Sequence, residues 1–200
     1  MIREQLAGRR IAITGSTGFV GTALVERLLR SVPECELVLL IRPSKRHGAA
    51  ERARREIFKN DAFDRLKADL RDTDEPFDAM IARRVRAIAG DVSSDGLGLD
   101  ETDRAVLATC DVVIHSAAAV AFDSPLDSAV EINLLGPTRV AQTLQSLGVT
   151  PHLVAVSTCY VAGNRRGNAP EELVSDGPFD LGLNWRKEVA ASRRLRSDLE

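Results

Sequence analysis

Seven residues near the N-terminus, Gly15 to Gly21, have the types and spacing of a loop that binds phosphate groups. They directly follow the apolar run Ile11 to Thr14 and open a segment of helical periodicity. In such a loop the glycines allow a tight turn, a close approach of backbone to a pyrophosphate, and close packing of helix on strand. The helix N-terminus adds unpaired N–H groups. The alternative is that the glycines only end a strand. We predict a dinucleotide site formed by Gly15, Ser16, Thr17, Gly18, Phe19, Val20 and Gly21.

The residue that ends the second predicted strand indicates which dinucleotide is bound. An NAD-binding domain carries an acidic residue there, which hydrogen-bonds the ribose hydroxyls, whereas this chain has Arg42. Lys45 follows, with Arg46 or Arg52 nearby, and a guanidinium can hold a phosphate through two parallel hydrogen bonds. We therefore expect NADPH as the cofactor, with its 2′-phosphate against Arg42, Lys45 and Arg52. The alternative is that these cations are ordinary solvated residues.

The composition argues against several other ligands. The 200 residues contain 27 Lys and Arg against 29 Asp and Glu, so no positive excess attracts nucleic acid or an anionic membrane. No apolar run is long enough for a membrane span, and the first residues are polar rather than a signal peptide. The cysteines and histidines are scattered, which predicts neither a disulfide framework nor a metal site. We expect a cytoplasmic protein with a small-molecule ligand. The scattered residues are Cys35, Cys110, Cys159, His47, His115 and His152.

Five short apolar runs alternate with segments of helical periodicity, marked by Phe19 to Leu29 and Leu126 to Leu147. The charged span His47 to Arg71 predicts one or two surface helices. This alternation predicts an α/β fold, a Rossmann doubly wound parallel sheet with helices on both faces. We assign residues 1–200 to one NAD(P)-binding domain, with 180–200 as the start of a helical segment. The predicted buried strands are Ile11 to Thr14, Leu37 to Ile41, Val85 to Ala89, Val112 to His115 and Leu153 to Ser157.

Four further motifs follow the glycine loop in order. With the GxxGxxG spacing, this order resembles the extended short-chain dehydrogenase/reductase superfamily. More narrowly, GDVSSDGLGL, HSAAAVAFDSPLD and VSTCYVAG resemble the fatty acyl-CoA reductases and the thioester-reductase domains of carboxylic acid reductases, the male-sterility-type NAD-binding family. The resemblance runs from about Ile11 to Glu172. The motifs begin at Gly90, Val112, Asn133 and Val156.

By position, the resemblance implies roles for individual residues. Asp91 and Val92 would flank the adenine, while three small residues would line the cofactor cleft. Asn133 would brace the sheet near the active site through backbone contacts, the alternative being a helical Asn that faces solvent. Thr158 would be catalytic, because its hydroxyl would hydrogen-bond the substrate carbonyl oxygen as hydride arrives from the nicotinamide. The small residues of the cleft are Ala117, Ala118 and Ala119.

The sequence departs from the superfamily at its catalytic pair, a Tyr followed four residues later by a Lys, in which the phenol protonates the developing alkoxide. The one tyrosine of this chain is Tyr160, and Asn164 stands four residues on. The tail from Trp185 predicts a charged helix with no Gly cap or further strand. We therefore expect a chain truncated at its C-terminus, with the Tyr and Lys beyond Glu200, that binds cofactor without turnover. The alternative is a degenerate relative.

The resemblance implies an NADPH-dependent reductase that converts an acyl-CoA, or an acyl thioester on a carrier protein, to an aldehyde or alcohol. Two other functions stay open. One is that of another extended reductase, dehydratase or epimerase, acting on a nucleotide sugar or a lipid alcohol. The other is a non-catalytic NADP-binding or sensing module. Neither the acyl chain length nor the oligomeric state follows from the sequence.

Overall fold

The computed structural model describes residues 2–121, 123–161, 163, 166–177 and 180–197. Five parallel strands form one sheet in the order β3-β2-β1-β4-β5, which is the doubly wound Rossmann order. The predicted fold class is thus confirmed, and each predicted strand is present with its ends shifted by two residues at most. The strands are β1 Arg10–Thr14, β2 Glu36–Ile41, β3 Val85–Ala89, β4 Val112–His115 and β5 His152–Ala155.

Helices cover both faces of the sheet. The predicted helix from Leu126 to Leu147 is nearly continuous, but Val130–Leu134 forms a π-helical turn within it. Another π-helical turn, Ala53–Ile57, extends a short helix in the charged span. The helices are α1 Ile2–Leu6, α2 Phe19–Ser31, α3 Ala49–Arg52, α4 Asp64–Leu70, α5 Phe77–Arg84, α6 Glu101–Leu107, α7 Leu126–Ala129, α8 Leu135–Ser146 and α9 Trp185–Ser197.

Alternate side chains of the central strands enter two separate hydrophobic cores, because successive residues of a strand point to opposite faces. On β1, Ile11 and Ile13 pack into the core beneath α2, α4 and α5, whereas Ala12 packs into the core beneath α6 and α8. On β2, Leu39 and Leu40 divide in the same way. Both central strands are therefore buried on both faces, as their continuous apolar sequences predict.

The charged span His47 to Arg71 contributes more than a solvated surface. Its arginines other than Arg52 are exposed, but Ile57, Phe58 and Phe63 are buried against the first core. Phe58 and Phe63 meet edge to face with ring centroids 5.5 Å apart, and each also contacts Phe77 of α5. This span therefore closes one face of the sheet behind β2.

The fifth strand differs from the prediction that it is buried. All four residues of β5 are exposed, with Leu153 and Val154 each 39% accessible. The reason is its place in the sheet, since β5 is an edge strand that, among the described strands, pairs with β4 alone. Across the described ranges, no helix combines the length and the hydropathy of a membrane span.

Candidate functional site

The carboxyl ends of the five parallel strands lie at one edge of the sheet, and each is followed by a segment with predicted site residues. The strand order reverses between β1 and β4, and at such a switch point the loops that follow neighbouring strands diverge to leave a crevice. The glycine loop follows β1, and the alanine loop, Ser116 to Ala119, follows β4. The fold thus brings residues from five distant parts of the sequence to one edge.

The two loops touch at Gly15. This residue has φ of +73°, and a Cβ atom there would lie 2.6 Å from the backbone nitrogen of Ala117. At Gly21 a Cβ atom would lie 2.1 Å from the carbonyl oxygen of Gly15. The chain's own packing therefore requires glycine at both positions. Gly18 is different, because a Cβ atom there would approach a described atom no closer than 3.3 Å. Its missing side chain instead leaves room in front of the loop.

The N-terminus of α2 is suited to an anion. Gly18 is the N-cap residue, no described side chain caps the helix, and the first turn contains no acidic residue. The first N–H groups of the helix therefore remain available as hydrogen-bond donors and keep their partial positive charge. Phe19 is 94% accessible and Val20 is also exposed, so the first turn is open to solvent. This arrangement fits a pyrophosphate.

Ser16 lies beneath the loop rather than at its mouth. The residue is 1% accessible, and its Oγ atom is buried without a hydrogen-bond partner among the described residues. Its carbonyl oxygen accepts a hydrogen bond from Thr22 Oγ1 at 3.0 Å, which anchors the loop to α2. Direct contact of the Ser16 hydroxyl with a phosphate stays a prediction and would require the side chain to rotate.

Thr14 and His115 form a buried junction that sequence analysis missed. The Thr14 hydroxyl oxygen accepts from the backbone N–H groups of Ser116 and Ala117, both at 3.2 Å, and lies 2.8 Å from His115 Nδ1. Because this oxygen already accepts two bonds, its own hydrogen is best donated to Nδ1, which makes the imidazole neutral. Burial lowers the pKa of His115, which favours the same state. The junction fastens the end of β1 to the start of the alanine loop.

Arg42 extends from the end of β2, with 65% of its side chain accessible. Its Nη1 atom lies 3.9 Å from Oδ2 of Asp91, in the loop that follows β3. The other Asp91 oxygen accepts from the N–H and the hydroxyl of Ser93, at 2.8 and 2.7 Å. Asp91 is therefore fixed by its own loop, while the guanidinium of Arg42 is only loosely held and can reach a ligand.

The Arg52 guanidinium contacts the backbone of Arg42 rather than extending toward a ligand beside the Arg42 side chain. Its guanidinium makes two hydrogen bonds to the Glu56 carboxylate, at 2.7 and 2.6 Å, and a third to the carbonyl oxygen of Arg42. These bonds raise the pKa of Arg52 and lower that of Glu56. The structure thus gives Arg52 a role in holding the backbone of Arg42, and its direct contact with a phosphate stays a prediction. Lys45 is exposed.

The alanine loop is held by Asn133, which lies on the π-helical turn between α7 and α8. Its Oδ1 accepts from the N–H of Ala119 at 2.8 Å, and its Nδ2 donates to the Ala119 carbonyl at 2.9 Å. Asn133 thus contacts the backbone of the loop after β4, and its role in bracing the sheet stays a prediction. Val92 is 7% accessible and packs in the second core, where Gly136 approaches it closely. Contacts of these residues with a cofactor stay predictions.

Thr158 lies three residues beyond β5 and is exposed. Its Oγ1 accepts from the N–H of Tyr160 at 3.1 Å, which orients the hydroxyl and leaves its hydrogen to be donated. The Tyr160 ring is 92% accessible and contributes little to the packing. Phe122 of the alanine run, Asn164, and the last residues of the predicted tail helix, Asp198 to Glu200, lie outside the described residues.

Comparison with known proteins agrees with this geometry. A family model described as male sterility protein matches residues 13–198. Fatty acyl-CoA reductase 8 of Arabidopsis thaliana is 30% identical over 197 residues, which is 94% of this chain and 39% of that protein. A putative fatty acyl-CoA reductase of Drosophila melanogaster is 36% identical over 198 residues, 98% of this chain and 36% of that protein. The chain thus spans less than two fifths of the length of these relatives.

Solved structures give the same result. The terminal R domain of the myxalamid PKS-NRPS biosynthetic pathway superposes with a TM-score of 0.58 at 28% identity, over 81% of this chain and 38% of that one. The PhqB reductase domain from Penicillium fellutanum, at 24% identity and a TM-score of 0.56, covers 96% of this chain and 44% of that one, and shows the shared fold. The crevice geometry and the family match together establish that the chain belongs to the male sterility protein family, as a nicotinamide-dinucleotide-binding domain of Rossmann fold.

Proposed function

We propose that this domain binds NADPH and serves the reduction of an acyl thioester to an aldehyde. The observation that supports it is the arrangement around the crevice between β1 and β4. An uncapped helix N-terminus and an exposed arginine lie on one side, and an exposed hydroxyl donor follows β5 on the other. The pyrophosphate would lie against the first turn of α2, with the 2′-phosphate near Arg42 and Lys45.

The relatives named as fatty acyl-CoA reductases favour an acyl-CoA or an acyl thioester on a carrier as substrate. Bound NADPH would supply a hydride, and the balanced reaction takes acyl thioester, NADPH and a proton to aldehyde, thiol and NADP⁺. Thr158 would donate its hydrogen bond to the carbonyl oxygen and stabilise the negative charge that develops there. A second reduction of the aldehyde would give the alcohol.

Protonation of the developing alkoxide calls for a further group. The 200 residues contain no Tyr-x-x-x-Lys sequence, and Thr158 is a weak acid for this task. We therefore propose that these residues bind the cofactor and orient the carbonyl, and that they do not turn over alone. We also propose a cytoplasmic location.

The cofactor proposal is tested with Arg42→Ala. Loss of a charge-assisted contact to the 2′-phosphate should raise the Kd for NADPH by about 10- to 100-fold, while the Kd for NADH, which lacks that phosphate, should stay the same. Nicotinamide fluorescence on titration measures both constants. Arg54→Ala is the matched control, because Arg54 is an exposed arginine of the same charged span. Equal losses for the two cofactors would show that Arg42 does not recognise the 2′-phosphate.

The substrate proposal is tested with the full-length protein that carries this domain. A fatty acyl-CoA, an acyl thioester on a carrier protein and a nucleotide sugar are each offered with NADPH, and the nicotinamide absorbance is followed. Oxidation of NADPH with a thioester, together with release of thiol, supports the proposal. Turnover of the nucleotide sugar alone would assign the domain to an epimerase or dehydrogenase instead. Binding without any turnover would favour a sensing module.

A further inference from the structure

A buried arginine that lies outside the crevice joins two of the segments that form the crevice wall. Arg139, on α8, has 10% of its side chain accessible. Its Nε donates to Oδ1 of Asp95 at 3.2 Å, its Nη1 donates to the backbone carbonyl of Glu131 at 2.9 Å, and its Nη2 donates to the Glu131 carboxylate. One guanidinium therefore holds two segments that are far apart in the sequence.

The first segment is the loop after β3, which contains Asp91 and Asp95. It folds back on itself, because the N–H of Asp91 donates to the carbonyl of Leu97 at 2.8 Å and the N–H of Ser94 donates to the carbonyl of Asp91 at 3.0 Å. A bond to Asp95 therefore reaches a compact unit. The Asp95 side chain is 99% accessible, so this ion pair is screened by water and is the weakest of the three contacts.

The second segment is the π-helical turn Val130–Leu134, which contains both Glu131 and Asn133. Such turns interrupt the regular hydrogen bonding of a helix and are frequent at functional sites. The carbonyl of Glu131 belongs to the backbone of this turn and accepts from Arg139. Two residues further on, Asn133 makes its pair of hydrogen bonds to the backbone of Ala119. The π-helical turn thus connects Arg139 to the alanine loop.

The Glu131 carboxylate has a second partner. Arg193 of α9 donates to its Oε1 at 2.6 Å, and the bonds from Arg193 and Arg139 lower the pKa of Glu131. Arg193 contacts only the carboxylate in the hydrogen bonds described, whereas Arg139 also contacts the backbone of the turn. The two arginines therefore separate the effect of an ion pair from the effect of fixing the turn.

We propose that Arg139 is a positioning residue for the dinucleotide crevice. Through the backbone of Glu131 it fixes the π-helical turn, and through Asn133 the turn fixes Ala119 at the crevice wall. The planar guanidinium is needed because its donors point in fixed directions, and the single ammonium group of lysine cannot reach the same acceptors. The consequence for NADPH rests on the proposed function, but the effect on Ala119 does not require a ligand.

The test is Arg139→Lys, which keeps the charge. Amide hydrogen exchange is measured at Ala119, whose N–H donates to Asn133, and at Leu39 in the buried strand β2. We expect exchange at Ala119 to rise by about threefold or more while Leu39 is unchanged, which is the signature of a local opening. Arg193→Lys, the matched control on the same carboxylate, should leave Ala119 unchanged.

Three outcomes would overturn the proposal: no change at Ala119, an equal rise at Ala119 and Leu39, or an equal effect of Arg193→Lys. If Arg139→Lys does not fold, Glu131→Gln replaces it, since the glutamine keeps the backbone carbonyl but weakens the hold on Arg139. Because the bond from Arg139 to this carbonyl remains, exchange at Ala119 should stay the same, and a rise there would show that the carboxylate fixes the turn and would overturn the proposal.

Cofactor titration of the same variants separates this proposal from the proposed function. Arg139→Lys should raise the Kd for NADPH by about tenfold, and Arg193→Lys should leave it the same. If neither the wild-type protein nor the variant binds NADPH but exchange at Ala119 still rises in Arg139→Lys, the proposed function fails and the positioning role stands. If NADPH binds both equally, the positioning role fails.

Discussion

At the amino edge of the sheet, where the strands begin, arginines and acids are paired with one another, whereas at the carboxyl edge several donors have no partner among the described residues. Arg10 pairs with Glu36 at 2.5 Å, and Arg83 pairs with Glu34 and Glu75 at 2.6 and 2.9 Å. Arg10, Glu36 and Arg83 line a cavity of about 230 Å³. Each of these three charged groups already has an ion-pair partner.

The carboxyl edge has the opposite character. The first turn of α2 has no side-chain cap within the described structure, Ser16 Oγ is buried without a partner there, and Arg42 lies 3.9 Å from the carboxylate of Asp91. A buried donor without a partner, such as the Ser16 hydroxyl, costs stability unless a ligand or water binds it. The exposed donors of α2 and Arg42 are hydrated and can exchange this water for a ligand. The comparison indicates that a binding edge is recognised by the donors that it leaves without partners among the described residues.

Arg84→Ala tests whether the amino edge stabilises the fold rather than binds a ligand. Of the predicted changes in the free energy of unfolding, this one should be the largest. The Arg84 guanidinium donates to the backbone carbonyls of Leu29, Val32 and Cys35, so it closes the C-terminus of α2. Leaving these acceptors buried should lower the free energy of unfolding by about 3–5 kcal/mol. Urea unfolding measures the loss. The affinity of the folded fraction for NADPH should not change. A loss of NADPH affinity without a loss of stability would show that the amino edge also serves binding, which contradicts the contrast between the two edges. Arg83→Ala is the exposed control and should unfold at nearly the wild-type urea concentration.

Two glycine substitutions separate packing from binding within the carboxyl edge. Gly21→Ala places a methyl group against the Gly15 carbonyl and should cost about 1–3 kcal/mol of stability through overpacking. Gly18→Ala finds more space, so it should cost less than about 1 kcal/mol. It should nevertheless weaken NADPH binding by about tenfold or more, because the methyl group occupies the side on which the phosphate is expected. Thermal unfolding and cofactor titration measure the two effects, and tight binding by Gly18→Ala would count against the loop as the phosphate site.

Thr14→Val tests the junction beneath the crevice. Valine keeps the shape of threonine but cannot accept the N–H groups of Ser116 and Ala117, which should cost about 1–3 kcal/mol. NADPH binding should also weaken, since the alanine loop loses its tie to β1. Thr14→Ser retains the hydroxyl and should keep most of the affinity. If valine and serine behave alike in denaturation and in titration, the hydroxyl does not position the loop.

Local patterns were enough to predict the doubly wound parallel sheet and the place of the glycine loop between the first strand and the helix that follows it. Alternating apolar runs and helical segments permit few topologies, and the loop lies within one continuous stretch of sequence. The junction was not predictable in this way, because Thr14 and His115 are 101 residues apart and neither belongs to a pattern that names the other. The burial of β5 was predicted wrongly, since an apolar run does not show whether a strand is central or at an edge.

Arginines were the least predictable residues. Arg42, Arg52, Arg84 and Arg139 are alike in the sequence, yet their roles differ. Arg42 is exposed at the carboxyl edge, and Arg52 holds the backbone of Arg42. Arg84 closes the C-terminus of α2, and Arg139 joins the loop after β3 to the π-helical turn. A guanidinium has five donors on a long side chain, so its role depends on which carbonyls and carboxylates the fold brings near. Position at the end of β2 predicted where Arg42 lies, and nothing local indicated the acceptors of Arg84 or Arg139.

The pH dependence of stability gives the smallest effect and probes the junction without changing its shape. Burial lowers the pKa of His115 in the folded protein below its ordinary value of 6.5, so the unfolded chain takes up the proton first. Stability from this residue is therefore fully present above pH 6.5 and declines as the pH falls from there toward the lower pKa of the folded state.

His115→Gln, which has no titrating group, should lose this part of the decline when urea unfolding is measured between pH 7.5 and about pH 5. Carboxylates with lowered pKa values, such as Glu131, contribute only at lower pH, because they begin to take up protons near their ordinary value of 4.5. An identical pH profile in the wild-type protein and the variant would mean that His115 titrates freely, and the hydrogen bond from Thr14 would then not hold the imidazole neutral.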